Sequence, residues 1–280
     1  MKLKFLTIPF LALTMLAVPS RAAQEAHSAT GDHKSVKELR EAVRLFDIGM
    51  HARSKTILDK VAREYGSADA KGYAVLCDVV ASAPGYEVRM NGFFEECPYS
   101  KLVPQIRYRH ALNLFHSGEY AAALSTFESV KPSMLYKSDR TEYLFNRAYC
   151  NLELQQYETA FGIFTEVYQL PFSDYTGPSA YAMGYIRYVG RDFEQALSWF
   201  EKSVKDSRFT AISNWYIMEC RFMMKDYMYV TSKGAAMYEA VPEERKPYLA
   251  RLISESYLVL GDAENARKYL DMHSVKAAHV

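Results

Sequence analysis

The 280-residue chain contains no phosphate-cradling GxxxxGK[ST], no dinucleotide-type GxGxxG, no serine elbow GxSxG and no HExxH. The short motifs that carry nucleotide, acyl-transfer or zinc chemistry are therefore missing. Cysteine is sparse: Cys77, Cys97, Cys150 and Cys220 form no CxxC pair and no zinc-ligand spacing. They read as buried thiols, with Cys77 and Cys97 the only two close enough to lie within one hairpin. The seven histidines are scattered, and His27, His33, His273 and His279 fall near the ends. Charge of one sign is also lacking, with 34 basic against 33 acidic residues. That balance gives no electrostatic reason to expect nucleic acid or an anionic membrane surface. The longest apolar run, Phe5–Val18, has 14 residues, short of the roughly 18 to 20 that a spanning helix needs.

That run follows Lys2 and Lys4 and precedes Pro19 and the small-x-small sequence Ser20-Arg21-Ala22. This is the layout of a secretory signal peptide, so residues 1–22 are expected to be removed after Ala22, with Ala23 as the alternative site. No cysteine lies nearby to be acylated. Removal deletes three of the 34 basic residues and leaves 31 against 33 acidic. The expected location is the periplasm, in association with the outer membrane or free of it. Residues 23–34 are expected to be a flexible segment. Nearly half the chain is hydrophobic and 22 residues are tyrosine, which is enough to bury a core.

What the chain does contain is a repeat. An anchor residue followed by a small side chain three positions on and a large one seven on recurs at His51, Glu87, Tyr120, Tyr157, Phe193, Tyr227 and Ala263, with spacings of 36, 33, 37, 36, 34 and 36 residues. The small column reads Ser54, Met90, Ala123, Ala160, Ala196, Val230 and Ala266; the large one reads Leu58, Phe94, Phe127, Phe164, Phe200, Gly234 and Leu270. Three further columns precede each anchor. Five before stand Phe46, Ser82, Phe115, Leu152, Tyr188, Phe222 and Leu258; nine before stand Ala42, Asp78, Ala111, Ala148, Gly184, Met218 and Ser254. Twelve before stand Leu39, Val75, Tyr108, Phe145, Tyr181, Trp215 and Arg251. Offsets of three and four mark one face of a helix, so each repeat predicts a pair of helices crossing at small residues. Pro104, Pro178 and Pro247 suit the start of first helices, and Pro98, Pro132, Pro171 and Pro242 the end of second ones. Gly49, Gly85, Gly118 and Gly261, two residues before their anchors, suit the turn between.

A period near 34 with these columns resembles the tetratricopeptide repeat, or TPR, most closely in GEYAAALSTF (118–127), QQYETAFGIF (155–164) and RDFEQALSWF (191–200). Segments such as YAMGYIRYVGRDFEQAL also resemble arrays in secreted TPR proteins of the Bacteroidota. The resemblance covers roughly 35–272 and leaves 273–280 as a tail. It implies an all-α superhelical solenoid of about seven hairpins, needing no cofactor or metal. It further implies a non-catalytic scaffold that holds extended or helical segments of protein partners of the cell envelope.

TPR modules that hold a carboxylate use basic and amide side chains from adjacent first helices, because a carboxylate needs several converging donors. The residues that match are Arg109, His110, Asn113, Asn146 and Arg147 in repeats three and four, continued by Arg187, Asn214 and Arg221 in repeats five and six. The competing reading pairs them with local acids such as Glu119, Glu142 and Glu153. The aromatics admit two readings as well, a packed core or a carbohydrate-binding platform built on Tyr149, Tyr185 and Trp215. Burial of those three rings would remove the platform.

Overall fold

The computed structural model describes residues 33–171 and 173–277, so the signal-peptide expectation for 1–22 lies outside the described residues. Among the described residues fourteen α-helices follow one another in seven pairs, and no strand occurs. The hairpins are α1 (His33–Asp47) with α2 (His51–Tyr65), α3 (Ala68–Val80) with α4 (Tyr86–Glu96), and α5 (Leu102–His116) with α6 (Tyr120–Glu128). They continue as α7 (Arg140–Glu153) with α8 (Tyr157–Gln169), α9 (Thr176–Val189) with α10 (Phe193–Ser203), α11 (Thr210–Met223) with α12 (Tyr227–Ala240), and α13 (Lys246–Val259) with α14 (Ala263–Ala277). Helix α1 starts two residues before the expected array and α14 continues five residues past its expected end. The chain divides into two compact units, residues 1–113 and 114–280. Within the second unit α8 packs on α7 and α9, α10 on α9 and α11, and α12 on α11 and α13; in the first, α2 packs on α1 and α3.

The columns are where the helices meet. All seven residues nine before the anchors are buried, and so are all seven of the small column. Phe127, Phe164 and Phe200 of the large column are fully buried. Gly184 and Gly234 lie where a Cβ would come within 2.9 Å of the Phe200 ring and of Ile253 respectively. Phe94 of the large column is only partly buried, and Leu270 is exposed while Tyr269 beside it is buried. The four cysteines are free thiols, with Cys77, Cys150 and Cys220 buried.

Six of the seven anchors are the first residue of a second helix, and in those hairpins the residue two before the anchor is left-handed: Gly49, Gly118, Gln155, Arg191, Lys225 and Gly261. Each of these turns closes as a Schellman motif, with paired bonds such as Lys225 N to Phe222 O at 2.8 Å and Asp226 N to Arg221 O at 2.9 Å. The second hairpin departs from this register. Its left-handed residue is Ser82 at φ 47, four residues before α4, with Ser82 N bonded to Val79 O and Ala83 N to Asp78 O. The turn is two residues longer there, so the second helix begins at Tyr86, one residue before Glu87. Val79 and not Ser82 fills the apolar place, and Phe93 and not Phe94 is fully buried.

Gln155, Arg191 and Lys225 hold positive φ of 59 to 61° without glycine's freedom. The left-handed region costs an L-residue roughly 1–2 kcal/mol, and glycine's extra chain entropy returns about half of that. Each change to glycine is expected to raise unfolding free energy by about 0.5–1 kcal/mol, and the three should add, since they lie in separate hairpins. Denaturant midpoints of the single and triple variants measure this; a loss of stability at all three sites would contradict it.

Candidate binding face on the first helices

On an α-helix, residues four apart share a face and residues two apart point about 200° away. In the second unit the residues eight before each second helix are Tyr149, Tyr185, Glu219 and Glu255 on α7, α9, α11 and α13. Those four before are Glu153, Val189, Met223 and Val259, on the same face. The opposite face, at ten and six before, carries the buried Met183, Ile217 and Ile253 and is the one packed on the second helices. The first set therefore forms a face turned away from the second helices. Its apolar members are open to solvent: Val189 is 39% exposed, Met223 41% and Val259 61%, with Leu258 beside them at 58%.

The polar members link one helix to the next. Glu153 accepts from the Tyr149 hydroxyl, and its charge reaches Tyr185 on α9. Glu219 accepts from Tyr188 on α9 and lies within the influence of Arg245 and Arg251. Arg251 in turn pairs with Glu255 at 3.5 Å. Burial pushes both the Glu153 and Glu219 carboxyls above the ordinary carboxylate range, opposed mainly by the tyrosine hydroxyls. A carboxyl raised on folding holds its proton in the folded chain at a pH where the unfolded chain has released it. These two groups therefore lower stability as pH rises past the ordinary carboxylate value and are neutral below it. Burial likewise raises Tyr149, Tyr185 and Tyr188, so all three remain protonated donors at neutral pH.

The eight basic and amide residues singled out from the sequence are placed differently. In the first unit, His110 Nδ1 shares a hydrogen bond with the Tyr86 hydroxyl at 2.9 Å, and Asn113 Nδ2 donates to Val79 O at 2.7 Å. The Arg109 guanidinium lies 5.0 Å from the Tyr108 ring. In the second unit, Arg187 stands over Phe161 of α8 at 4.0 Å and pairs with Glu158 at 3.3 Å. Arg221 stands over Tyr229 of α12 and reaches Asp226 and Glu201. Both arginines thus face the second helices and not the open face, because six before the anchor is the packing side. Arg147 bonds to the Tyr143 hydroxyl on the same helix. Asn146 and Asn214 are buried, Asn146 with its Oδ1 unpartnered among the described residues. The residues that do share an open face are Glu153, read from the sequence only as a local acid, and Val189, Glu219, Met223 and Val259; the signal for them is the pair of columns eight and four before each anchor.

The aromatic rings are resolved by the same geometry. Trp215 is 4% exposed, with the Arg245 guanidinium 5.5 Å from its ring and Tyr248 against its edge. Tyr185 is buried, and Tyr149 is half-buried edge-on against Phe115 at 5.5 Å. No flat exposed platform remains on these three rings, and the carbohydrate reading loses its support.

Helical hairpins with small residues at the crossings and, in six of the seven described, Schellman turns of one register are the TPR-like fold. No family model and no curated protein matches this chain. Solved structures do. The apo form of RapI aligns with a TM-score of 0.62 over 88% of this chain and 77% of its own, at 15% identity. The C-terminal part of a TPR repeat-containing protein from Cytophaga hutchinsonii gives 0.55 over 83% and 93%, also at 15%. YrrB, described as a TPR protein with an unusual peptide-binding site, gives 0.51 over 68% of this chain and 98% of its own, at 14%. Likeness at such identity shows the shared fold.

Proposed function

We propose that the protein is an exported, non-catalytic scaffold of the cell envelope that holds a segment of a protein partner on the first-helix face of its second unit. The observation that carries this reading is the exposure of Val189, Met223 and Val259 at one register on three successive first helices. Apolar residues repeated on an otherwise polar face mark an interaction surface. Stacked hairpins suit such recognition because neighbouring first helices present equivalent positions side by side. Export rests on the N-terminal run, and the absence of catalytic motifs supports a role in binding.

A photo-crosslinking residue placed at Val189 or Met223 in the native organism should capture a defined protein adduct, and one at Ser198 or Ala235, exposed on α10 and α12, should not. Changing Val189, Met223 and Val259 together to glutamine should abolish capture from a crosslinker at Leu258. These side chains are already partly covered, so each contributes about 1 kcal/mol of binding and the three roughly 2–3 kcal/mol, or some 30- to 150-fold in Kd. Equal capture from both helix layers would overturn the assignment of the face.

A further inference from the structure

The first unit contains a cleft of about 480 Å³ lined by α2, α3 and α4, with α2 and α4 both packed on α3. Small-molecule sites span roughly 300–1,000 Å³. Its apolar lining is Ala62 of α2, Ala74 and Val75 of α3, and Gly92 and Phe93 of α4. Ion pairs tie the three helices around it. The buried Asp78 on α3 accepts from Arg89 Nε of α4 at 2.7 Å and lies 3.6 Å from Lys55 Nζ of α2, and Lys71 of α3 pairs with Glu96 of α4. The cleft is thereby preformed, and a ligand need not order it. Two of its residues have no part in holding the helices together. Glycine is among the poorest residues inside a helix, yet a Cβ at Gly92 would meet nothing within 4 Å, whereas one at Gly72 would come within 2.6 Å of Leu102. Packing therefore explains Gly72 and leaves Gly92 as bare backbone facing the cleft. Arg63 is the other. Of the four cations that line the cleft, Lys55, Lys71 and Arg89 hold its three acids, with Lys55 bonded to Asp59 at 2.7 Å as well, and Arg63 pairs with no acid among the described residues. One unmatched cation beside an apolar lining selects an apolar ligand with one negative charge. A carboxylate matches the planar fork of a guanidinium, whereas a phosphate ester, at a charge of about −2, adds a second charge that the three acids repel.

We propose that this cleft binds a small apolar carboxylate, with the charge on Arg63 and the hydrocarbon against Ala62, Ala74 and Gly92. The site lies wholly within the first unit, so it is independent of the docking face on the second. It also accounts for a glycine kept in mid-helix where the fold has no use for one, since residues that lower stability persist where binding uses them.

Titration calorimetry of the full chain with hexanoate, hexanol, hexylamine and hexyl phosphate tests the proposal. Hexanoate should bind most tightly, and its affinity should fall as salt rises. Arg63→Gln should weaken hexanoate about fivefold, the equivalent of the roughly 1 kcal/mol that a partly exposed ion pair reaches, and leave hexanol as it was; Arg63→Lys should restore most of the loss. Arg63 stands in the last turn of α2, where a cation also favours the helix dipole. A residue that served only the helix would shift the thermal midpoint on removal and leave the order of the four ligands unchanged, which would overturn its assignment to the ligand. Gly92→Leu should fill the cleft and abolish hexanoate binding while the thermal midpoint holds or rises, since a side chain there starts into open space. Equal affinity for hexanoate and hexanol, tighter binding of hexyl phosphate or hexylamine, hexanoate binding unchanged by Gly92→Leu, or binding of none of the four would each overturn the proposal.

Discussion

Phe200→Ala should destabilise the second unit by about 3–5 kcal/mol, the usual loss for truncating a fully buried aromatic side chain. The ring has no exposed surface, lies parallel to Tyr216 at 4.8 Å between centroids, and meets Tyr181 at 5.9 Å. It joins α10 to both neighbouring first helices, α9 through Tyr181 and α11 through Tyr216. Its removal leaves a cavity that neither helix can fill without sliding along the other. Because helical arrays are held by nearest-neighbour contacts, the damage should be local: hydrogen exchange should quicken in α9 to α11 ahead of α1 to α3. A loss below about 1 kcal/mol in denaturant unfolding would show that the site collapses freely and that α10 is not the junction described here.

Gly184→Leu should be about as damaging, from the opposite direction. A Cβ on this residue would stand 2.9 Å from Phe200 Cδ1 and Cε1, closer than carbon contacts allow, and the leucine branch would extend further into the ring. Overpacking of this kind costs about 1–3 kcal/mol for small insertions and more where the obstacle is itself held, as Phe200 is by Tyr216. Replacing a mid-helix glycine returns only about 1 kcal/mol of helix propensity. The pair should therefore be coupled. Gly184→Ala combined with Phe200→Leu should lose less stability than the two single losses added together, by about 0.5–3 kcal/mol in a double-mutant cycle. Strict additivity would show that the α9–α10 crossing tolerates displacement and does not depend on a bare backbone at this position.

Most of the hairpin architecture was legible from residue types alone, because burial at a helix crossing imposes both a size and a period. Ala160, Ala196 and Phe164 stand at fixed offsets since two helices of similar length can approach closely only there, and Pro247 and Pro242 stand where a helix can begin or must have ended. The turn position was legible as glycine at 49, 118 and 261 but hidden at Gln155, Arg191 and Lys225, whose left-handed backbone is imposed by the helices on either side. The two-residue lengthening at Ser82 was hidden as well. The column nine before the anchors put the charged Asp78 among small residues, and it is buried there with its carboxylate accepting from Arg89 at 2.7 Å.

The binding face depended on tertiary packing, for a reason of angle. Arg187 and Tyr185 are two residues apart on one helix, so either could face a partner; only the seating of α9 on α8, which draws Arg187 over Phe161, leaves Tyr185 and Val189 on the other side. The same seating determines which charges matter. A glutamate in a sequence is an ordinary solvated group, and nothing in its neighbours along the chain says that Glu153 and Glu219 will be drawn out of water. For Glu219 it follows from α9 of the adjacent hairpin bringing Tyr188 against it, and for Glu153 from burial beside Tyr149 one turn back on α7. Sequence determined the repeat, its period and its crossings, because those are properties of each helix's own pattern. Tertiary structure alone decided which face stayed open and what charge it carried, because burial of a side chain is set by the helices packed beside it.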